Sequence, residues 1–457
     1  NGGETWENVT PKGLKECLIN AIEVSPHDAA TAYIATTRYK FNDYTPGFYK
    51  TTDYGKTWIA INSGIPYGAF TRVVREDEFK KDLLYAGTEK GIYTSWNGGK
   101  SWEPFQLNLP NTPITDLKMH KGDMVVATSG RSFWILDDVV ALGQYQPSKK
   151  GLQILKPKDA YNGSWGSPLN GNSDKFTGSD TFEGINPANG IVLYYELTKL
   201  KDSTEITLEI SDSNGKTIRT ISSEKDPSYK PHNGGGAPPA PVLSKKEGLN
   251  RFVWDMKYPI MPGIPDVYIE AGFSGHKVSP GTYTFKLMVD GQSVSTTGTI
   301  KEVPIYETKP GQYEEYDAFM TTAEAELTTM HNMINQLYAV QENLTKVLKN
   351  VTEAAVKKEG DKLLADLKAW DNDMVQRKSQ AYDDVENFPN KFSAEYIFMI
   401  NQTNSSIPRL NKSSIDRKAE LDRQWSGLKS KGNQFINSAI PAYNKTLWEA
   451  GIGAIRL

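Results

Sequence analysis

The sequence predicts a multidomain β-plus-α chain: the last blade-like sheets of a larger β array, then a β-sandwich, then an antiparallel α-helical bundle. Three observations carry that reading. A turn motif recurs at TTDYGKTW (51–58) and SWNGGKSW (95–102). Short alternating strands with tight turns fill residues 190–303, and a helical apolar period runs from 313 to the end.

The repeated turn comes first because a repeat defines architecture. Each copy reads Thr or Ser, then Asp or Asn two later, Gly two after that, and Trp three further on. Asp53 and Asn97 suit an Asx-turn. Gly55 and Gly99 supply a backbone angle that other residues resist, and the Thr51 and Ser95 hydroxyls close the turn. Trp58 and Trp102 are expected to pack beneath it as plugs. Strand-like Gly47–Lys50 and Gly91–Thr94 run into the two copies. Further upstream, Ile22–Ser25 answers to Val73–Glu76, and Tyr33–Thr36 to Tyr85–Thr88. A third round has Thr115–Met119, Val125–Thr128 and Phe133–Leu136, and ends in Asp137-Asp138 without the Gly or the Trp. Short strands in units of about 40–50 residues mark propeller blades.

These residues resemble the Asp-box, or BNR repeat, of sialidase-like and sortilin-like β-propellers. The chain opens on NGGETW, the tail of the same phrase, with Asn1 where the Asp belongs. Residues 1–142 are therefore expected to be the C-terminal blades of a BNR/sortilin-like propeller. Exposed sheet edges forbid so short an array from standing alone, so upstream blades or another polypeptide are expected to complete it.

Residues 143–189, rich in Gly, Asn, Ser, Pro and Lys, read as a linker wrapping the domains. Strands return at Ile191–Tyr195, Ile206–Ile210, Thr217–Ile221, Arg251–Met256 and Thr282–Val289. Asn214-Gly215 gives a type I′ hairpin signal, and Asp290-Gly291 turns the last strand back. This predicts a β-sandwich over 190–303. Gly248–Asp255 and Pro280–Tyr283 resemble the Ig-like module of hook-capping proteins of the FlgD type, and the sandwich that follows many bacterial BNR propellers. Gly and Pro at the density of HNGGGAPPAPV (232–242) make a long loop.

From 313 to 457 the period is helical. Phe319, Ala323, Leu327, Met330, Ile334, Leu337, Leu344, Leu348 and Val351 form one stripe, with Thr321 and Glu324 fitting a capping box. Gly360 is expected to break the pattern. Further helices follow on Leu363–Met374, Tyr396–Ile400 and Leu421–Tyr443, giving a bundle.

Composition narrows the function. The chain has 457 residues and a formal net charge of −3, which gives no electrostatic case for nucleic acid. No run of about 18 apolar residues marks a membrane span. Cys17 is the single cysteine, which excludes an internal disulfide; it is expected to be a small buried hydrophobe. His27, His120, His232, His276 and His331 show no metal spacing, so neither a metal nor a cofactor is expected.

Catalytic residues stay unknown at this level. Asp137-Asp138 is the one conspicuous carboxylate pair in the blade region. Glycoside cleavage needs two carboxyls about 5–10 Å apart across one bond, and neighbours on a strand point to opposite faces. Arg38, Arg72, Arg75 and Arg131 have no context of a sialidase arginine triad. Asp53, Asn97 and Asn1 are assigned to turn structure. Trp58, Trp102, Trp254 and Trp425 are assigned to plugs and core, which leaves Tyr161 and Trp165 free to stack on a sugar. Asp202-Ser203-Thr204 fits a short O-glycosylation motif.

The resemblance implies a bacterial protein that is secreted, periplasmic or at the cell surface. It implies binding or scaffolding toward protein or glycan. The alternative is a glycoside hydrolase, sialidase- or xyloglucanase-like, with its carboxylates on further blades.

Overall fold

A computed structural model describes residues 2–145, 151–171, 184–230 and 236–456. Asn1, His232 and the start of the Gly/Pro-rich loop lie outside them. Among the described residues, the chain begins with two four-stranded antiparallel meanders. The first holds β1 (Leu18–Val24), β2 (Ala32–Arg38), β3 (Asp43–Thr51) and β4 (Ile59–Ala60). The second holds β5 (Thr71–Glu76), β6 (Leu84–Thr88), β7 (Gly91–Ser95) and β8 (Glu103–Pro104). A three-stranded sheet follows, with β9 (Ile114–His120), β10 (Asp123–Thr128) and β11 (Phe133–Leu136), and then the short helix α1 (Val140–Gln144).

The two repeated turns have one hydrogen-bond lattice. Thr51 Oγ1 accepts from Gly55 N at 2.9 Å and donates to Asp53 Oδ1 at 2.9 Å. Asp53 Oδ1 accepts from Thr57 N at 2.9 Å. Ser95, Asn97, Gly99 and Ser101 repeat this, with Gly99 N to Ser95 Oγ at 2.9 Å and Ser101 N to Asn97 Oδ1 at 2.9 Å. The carboxyl and amide thus reach four residues on rather than the two of a simple Asx-turn. Gly55 and Gly99 both have positive φ, 83° and 91°.

The tryptophans differ, because each packs on whatever precedes its own sheet. Trp102 is 5% exposed; it donates from Nε1 to Ile61 O and stacks on Phe48 of the first sheet at 5.5 Å. Trp58, expected to be buried, is only half-buried and donates from Nε1 to Val9 O at 2.8 Å. Trp6 is 91% exposed. At the outer limits of the three sheets, Ile22 and Val24 on β1, and Phe133 and Ile135 on β11, are exposed.

The segment expected as a linker does more than connect. It supplies β12 (Gln153–Ile154) and β13 (Ala160–Tyr161) to two sheets that face each other across one core. One sheet runs β12, β14 (Ile191–Leu197), β17 (Gly248–Trp254). The other runs β13, β19 (Gln292–Lys301), β18 (Gly281–Val289), β15 (Ile206–Ser211), β16 (Thr217–Ser222), antiparallel except where β13 joins β19. Alternation sets the inner faces: Leu193, Leu208, Ile210, Trp254, Phe285 and Leu287 are buried between them. Asp290 and Gly291 both have positive φ and make the two-residue turn between β18 and β19. At Asn214-Gly215 only the glycine is left-handed, and a bulge after Ile210 lengthens the loop, so this hairpin is not type I′.

The C-terminal region is helical: α2 (Gln312–Leu348), α3 (Ala354–Met374), α4 (Asp384–Asn387), α5 (Phe392–Asn404), α6 (Lys412–Gln434) and α7 (Ile440–Glu449), the last two joined through a π-helical turn at Phe435–Ala439. The apolar stripe of α2 is buried from Tyr316 to Leu348. Two expectations fail here. The helix starts at Gln312, after Gly311 at φ 83°, so Thr321 lies inside it and Glu324 caps nothing. Gly360 lies within α3, where a Cβ would meet Tyr443 Oη at 2.2 Å; it permits a close approach rather than a break.

Glu324 has another role. His276, fully buried, sets Nδ1 3.0 Å from Glu324 Oε2 and Nε2 3.1 Å from Asp317 Oδ1, and its own backbone N donates to Glu324 Oε1 at 2.8 Å. Tyr258 stacks on the ring at 4.4 Å. Both ring nitrogens face carboxylates, which favours the doubly protonated ring. Burial pulls the imidazole down, but the bonds to Asp317 and Glu324 outweigh it and raise its pKa. His331 is the reverse. Complete burial lowers it to about 4, with Nδ1 2.7 Å from Pro262 O and Nε2 without a partner.

Two outcomes are expected. Trp102→Ala costs about 3–5 kcal/mol, and Trp58→Ala markedly less, by urea unfolding. The two histidines bound stability from opposite sides. The His276 contribution is complete below about pH 6.5 and is lost as pH rises through its raised value. The His331 contribution is present above about pH 6.5 and is lost as pH falls toward about 4. Unfolding free energies from pH 4 to 9 check this: His276→Gln and Glu324→Gln should each remove the alkaline decline.

Candidate functional site

A cleft of about 610 Å³ opens between the β9–β11 sheet and the outer face of the β12–β14–β17 sheet. Alternation along β14 and β17 builds one wall. Ile191, Leu193, Phe252 and Trp254 turn into the core, so Val192, Tyr194 and Arg251 face out; Val192 and Arg251 line the cleft, and Tyr194 is the direct cross-strand partner of Arg251. The loop ends of the β9–β11 sheet supply the opposite wall, with His120, Lys121, Asp123, Asp137 and Asp138. The segment after α1 closes the sides with Lys158, Tyr161 and Trp165.

Asp137 and Asp138 both line this cleft. The expectation that they point apart assumed a continuing strand. Strand β11 stops at Leu136, and Asp138 adopts φ 56°, so strand alternation no longer applies. Asp138 N donates to Asp123 Oδ1 at 2.9 Å, which ties the turn to the start of β10. Lys158 Nζ bonds both Asp123 oxygens, at 2.6 and 2.8 Å, and lies 3.7 Å from Asp138 Oδ1. Tyr194 donates its hydroxyl to Asp138 Oδ2 at 3.3 Å. Asp137 is half-buried and has no hydrogen-bond or ion-pair partner among the described residues.

The electrostatics follow from this crowding. Burial raises Asp137, and Asp123 adds to the rise. Burial also raises Asp138, against the pull of Lys158. Lys158 is raised: desolvation works against its charge, but the Asp123 bond and the neighbouring Asp138 win. Tyr194 is pushed up to about 12 by burial and by Asp138. Asp137 and Asp138 move in the same direction. A glycosidase acid and its partner carboxylate need values pushed apart, and these two are not.

The two aromatics left unassigned by the repeats, Tyr161 and Trp165, are in the same cleft. Lys121 Nζ lies 3.2 Å from the Tyr161 hydroxyl and over its ring at 5.6 Å. Trp165 donates Nε1 to Pro187 O at 2.8 Å. Arg251 reaches Leu169 O at 3.0 Å and Gly171 O at 3.3 Å.

Other candidates fall elsewhere. Arg38, Arg72 and Arg75 pair with Asp43, Glu89 and Asp116, and Arg131 bonds the Gly130 carbonyl; they form no triad. Cys17 is half-exposed rather than buried. Ser203 is exposed and Thr204 buried in the β14–β15 loop. Among the described residues no His, Cys, Asp and Glu group has the arrangement of a metal site, and no helix is long and apolar enough to cross a membrane. Sequence reasoning missed Asp123, Lys158, Tyr194 and Arg251. Each has an ordinary local setting, and only the outward phase of Tyr194 and Arg251 on their strands could have been read in advance.

No family model matches the chain, and no curated protein does. Among solved structures it is similar to YCF48 bound to D1 peptide, at 21% identity over 30% of this chain and 43% of that one, TM-score 0.23. It is similar to a GH74 enzyme of Niastella koreensis at 13% identity over 62% and 38%, TM-score 0.23. An ancestral GH74 enzyme matches at 12% identity over 62% and 35%, TM-score 0.18. The chain thus spans less than half the length of each. The cleft chemistry stands on its own residues.

Lys158→Met leaves three carboxylates facing one another. The Asp137 and Asp138 carboxyls should titrate at higher pH than in the parent, followed by carbon-detected NMR. The fold should lose about 1–3 kcal/mol, the worth of a charged hydrogen bond.

Proposed function

We propose that this chain is a binding protein of the bacterial envelope or exterior, and that its ligand is a carbohydrate held in the cleft between the β9–β11 sheet and the β12–β14–β17 sheet. One observation carries the reading. Two aromatic side chains that belong to no core cluster of the described residues, Tyr161 and Trp165, share a cavity with Asp137, a carboxylate without a partner among those residues, although they come from separate stretches of chain. Ring faces take the apolar face of a sugar, and a free carboxylate accepts its hydroxyls. Polar groups placed around an apolar floor are the usual build of a small-ligand site.

In this reading the three leading sheets are blades of an Asp-box propeller, and the two facing sheets form an Ig-like sandwich. The exposed Ile22, Val24, Phe133 and Ile135 are faces on which further blades pack, from the same polypeptide or another. The hydrolase alternative draws on one feature, the raised carboxyl of Asp137 in a cleft, which suits a general acid.

The test is calorimetric binding to a panel of oligosaccharides, beside a turnover screen with aryl-glycosides, sialosides and β-glucans. Binding without turnover is expected. Trp165→Ala and Asp137→Asn should each weaken binding about tenfold or more, an interaction of about 1.4 kcal/mol. Turnover that disappears in Asp137→Asn would replace binding with hydrolysis. Absence of binding to any saccharide would end the carbohydrate reading.

A further inference from the structure

The side wall of the cleft, residues 161–171 and 184–190, has little regular structure. Side chains bonded to backbone hold it instead. Asn162 Nδ2 donates to Val278 O at 2.9 Å, Asn189 Nδ2 to Trp165 O at 3.1 Å, and Asn186 Nδ2 to Gly166 O at 3.1 Å. Arg251 holds the Leu169–Gly171 end from the cleft side. One charged group acts from behind the wall. Lys277 is 9% exposed and does not line the cleft; its Nζ donates to Gly163 O and reaches Asn189 Oδ1 at 3.5 Å. Gly163 in turn lies against the indole, since a Cβ there would sit 2.8 Å from the Trp165 ring.

We propose that Lys277 is a positioning residue for the cleft: from behind, it clasps the two chain segments that flank Trp165 and sets the indole where a ligand stacks. The consequence for ligand rests on the carbohydrate reading; the clasp itself does not.

The geometry has a pH signature. Among the described residues Lys277 bonds neutral acceptors alone. Burial, with Lys257 beside it, brings the ammonium down to about 8; Asp255 opposes weakly and is itself bonded to Arg219 at 3.2 Å. His276, the preceding residue, is engaged with Glu324 and Asp317 on α2. When the wall opens, Lys277 meets water and regains an ordinary lysine value of about 10.4. The open form then binds more protons than the closed one, so closure strengthens as pH rises from about 8 toward 10.4, by about tenfold per pH unit. The neutral amine still has N–H donors for the same two acceptors.

Hydrogen exchange of the full chain, read by mass spectrometry on peptides covering 161–171 and corrected for intrinsic rates, tests this from pH 7 to 10. Protection of the segment should rise about tenfold per pH unit between 8 and 10. In Lys277→Met it should fall at least tenfold at pH 7 and lose its pH dependence, while peptides from β14 and α2 keep theirs. Lys277→Arg, always charged, should restore protection without the pH dependence. Flat protection in the parent, unchanged protection in Lys277→Met, or parental pH dependence in Lys277→Arg would each overturn the proposal. If Lys277→Met fails to fold, the parent and Lys277→Arg decide. Where protection behaves as stated but no saccharide binds, the clasp stands and the carbohydrate reading alone falls.

Discussion

His276 between Glu324 and Asp317 is the contact on which the arrangement of the chain turns. An imidazole with a carboxylate on each ring nitrogen is strongly held, because removing His276 leaves the largely buried Glu324 carboxylate without its partner away from water. It fixes the loop before β18 to the first half of the longest helix. The next residue, Lys277, bonds the wall of the cleft. Adjacent side chains on an extended backbone leave it on opposite sides. Two neighbouring residues therefore attach one stretch of chain both to the helical region and to the candidate ligand site.

The leading sheets show how local chemistry and packing divide their work. The turn lattice at Thr51–Thr57 recurs at Ser95–Ser101, because every donor and acceptor lies within a few residues. Tryptophan burial does not recur. Trp102 lies on the first sheet, Trp58 is half-buried against the segment around Val9, and Trp6 is exposed. The same motif thus yields the same turn and a different depth, since depth belongs to the neighbour.

The cleft is assembled by topology. Asp123 begins β10, Asp138 follows β11, Lys158 precedes β13, and Tyr194 and Arg251 are paired across β14 and β17. None of these positions advertises a site. Their meeting depends on the segment after α1, which gives a strand to each of the two facing sheets and so brings the β9–β11 sheet against the outer face of the β12–β14–β17 sheet. A stretch rich in Gly, Asn and Pro reads as a connector because its strands are two residues long, too short for any period to emerge.

By itself the sequence determined what short-range chemistry and period can carry. It set the two turn lattices, the alternation that sends Trp254 and Phe285 inward, the Asp290-Gly291 turn, and the apolar stripe from Phe319 to Val351. It also singled out Asp137-Asp138 as the conspicuous carboxylate pair, read as a strand-ending turn, and Tyr161 and Trp165 as aromatics outside the repeats. The tertiary structure alone decided that those four share a cleft, that a left-handed Asp138 releases the pair from strand alternation, and that Glu324 faces His276 instead of capping a helix. Gly360 shows the same division: a glycine in a helical stripe reads as a break, until Tyr443 from a distant helix fills the space its missing side chain leaves. Backbone angles and apolar periods are written into neighbouring residues. Which remote group occupies a space is fixed only when the elements pack.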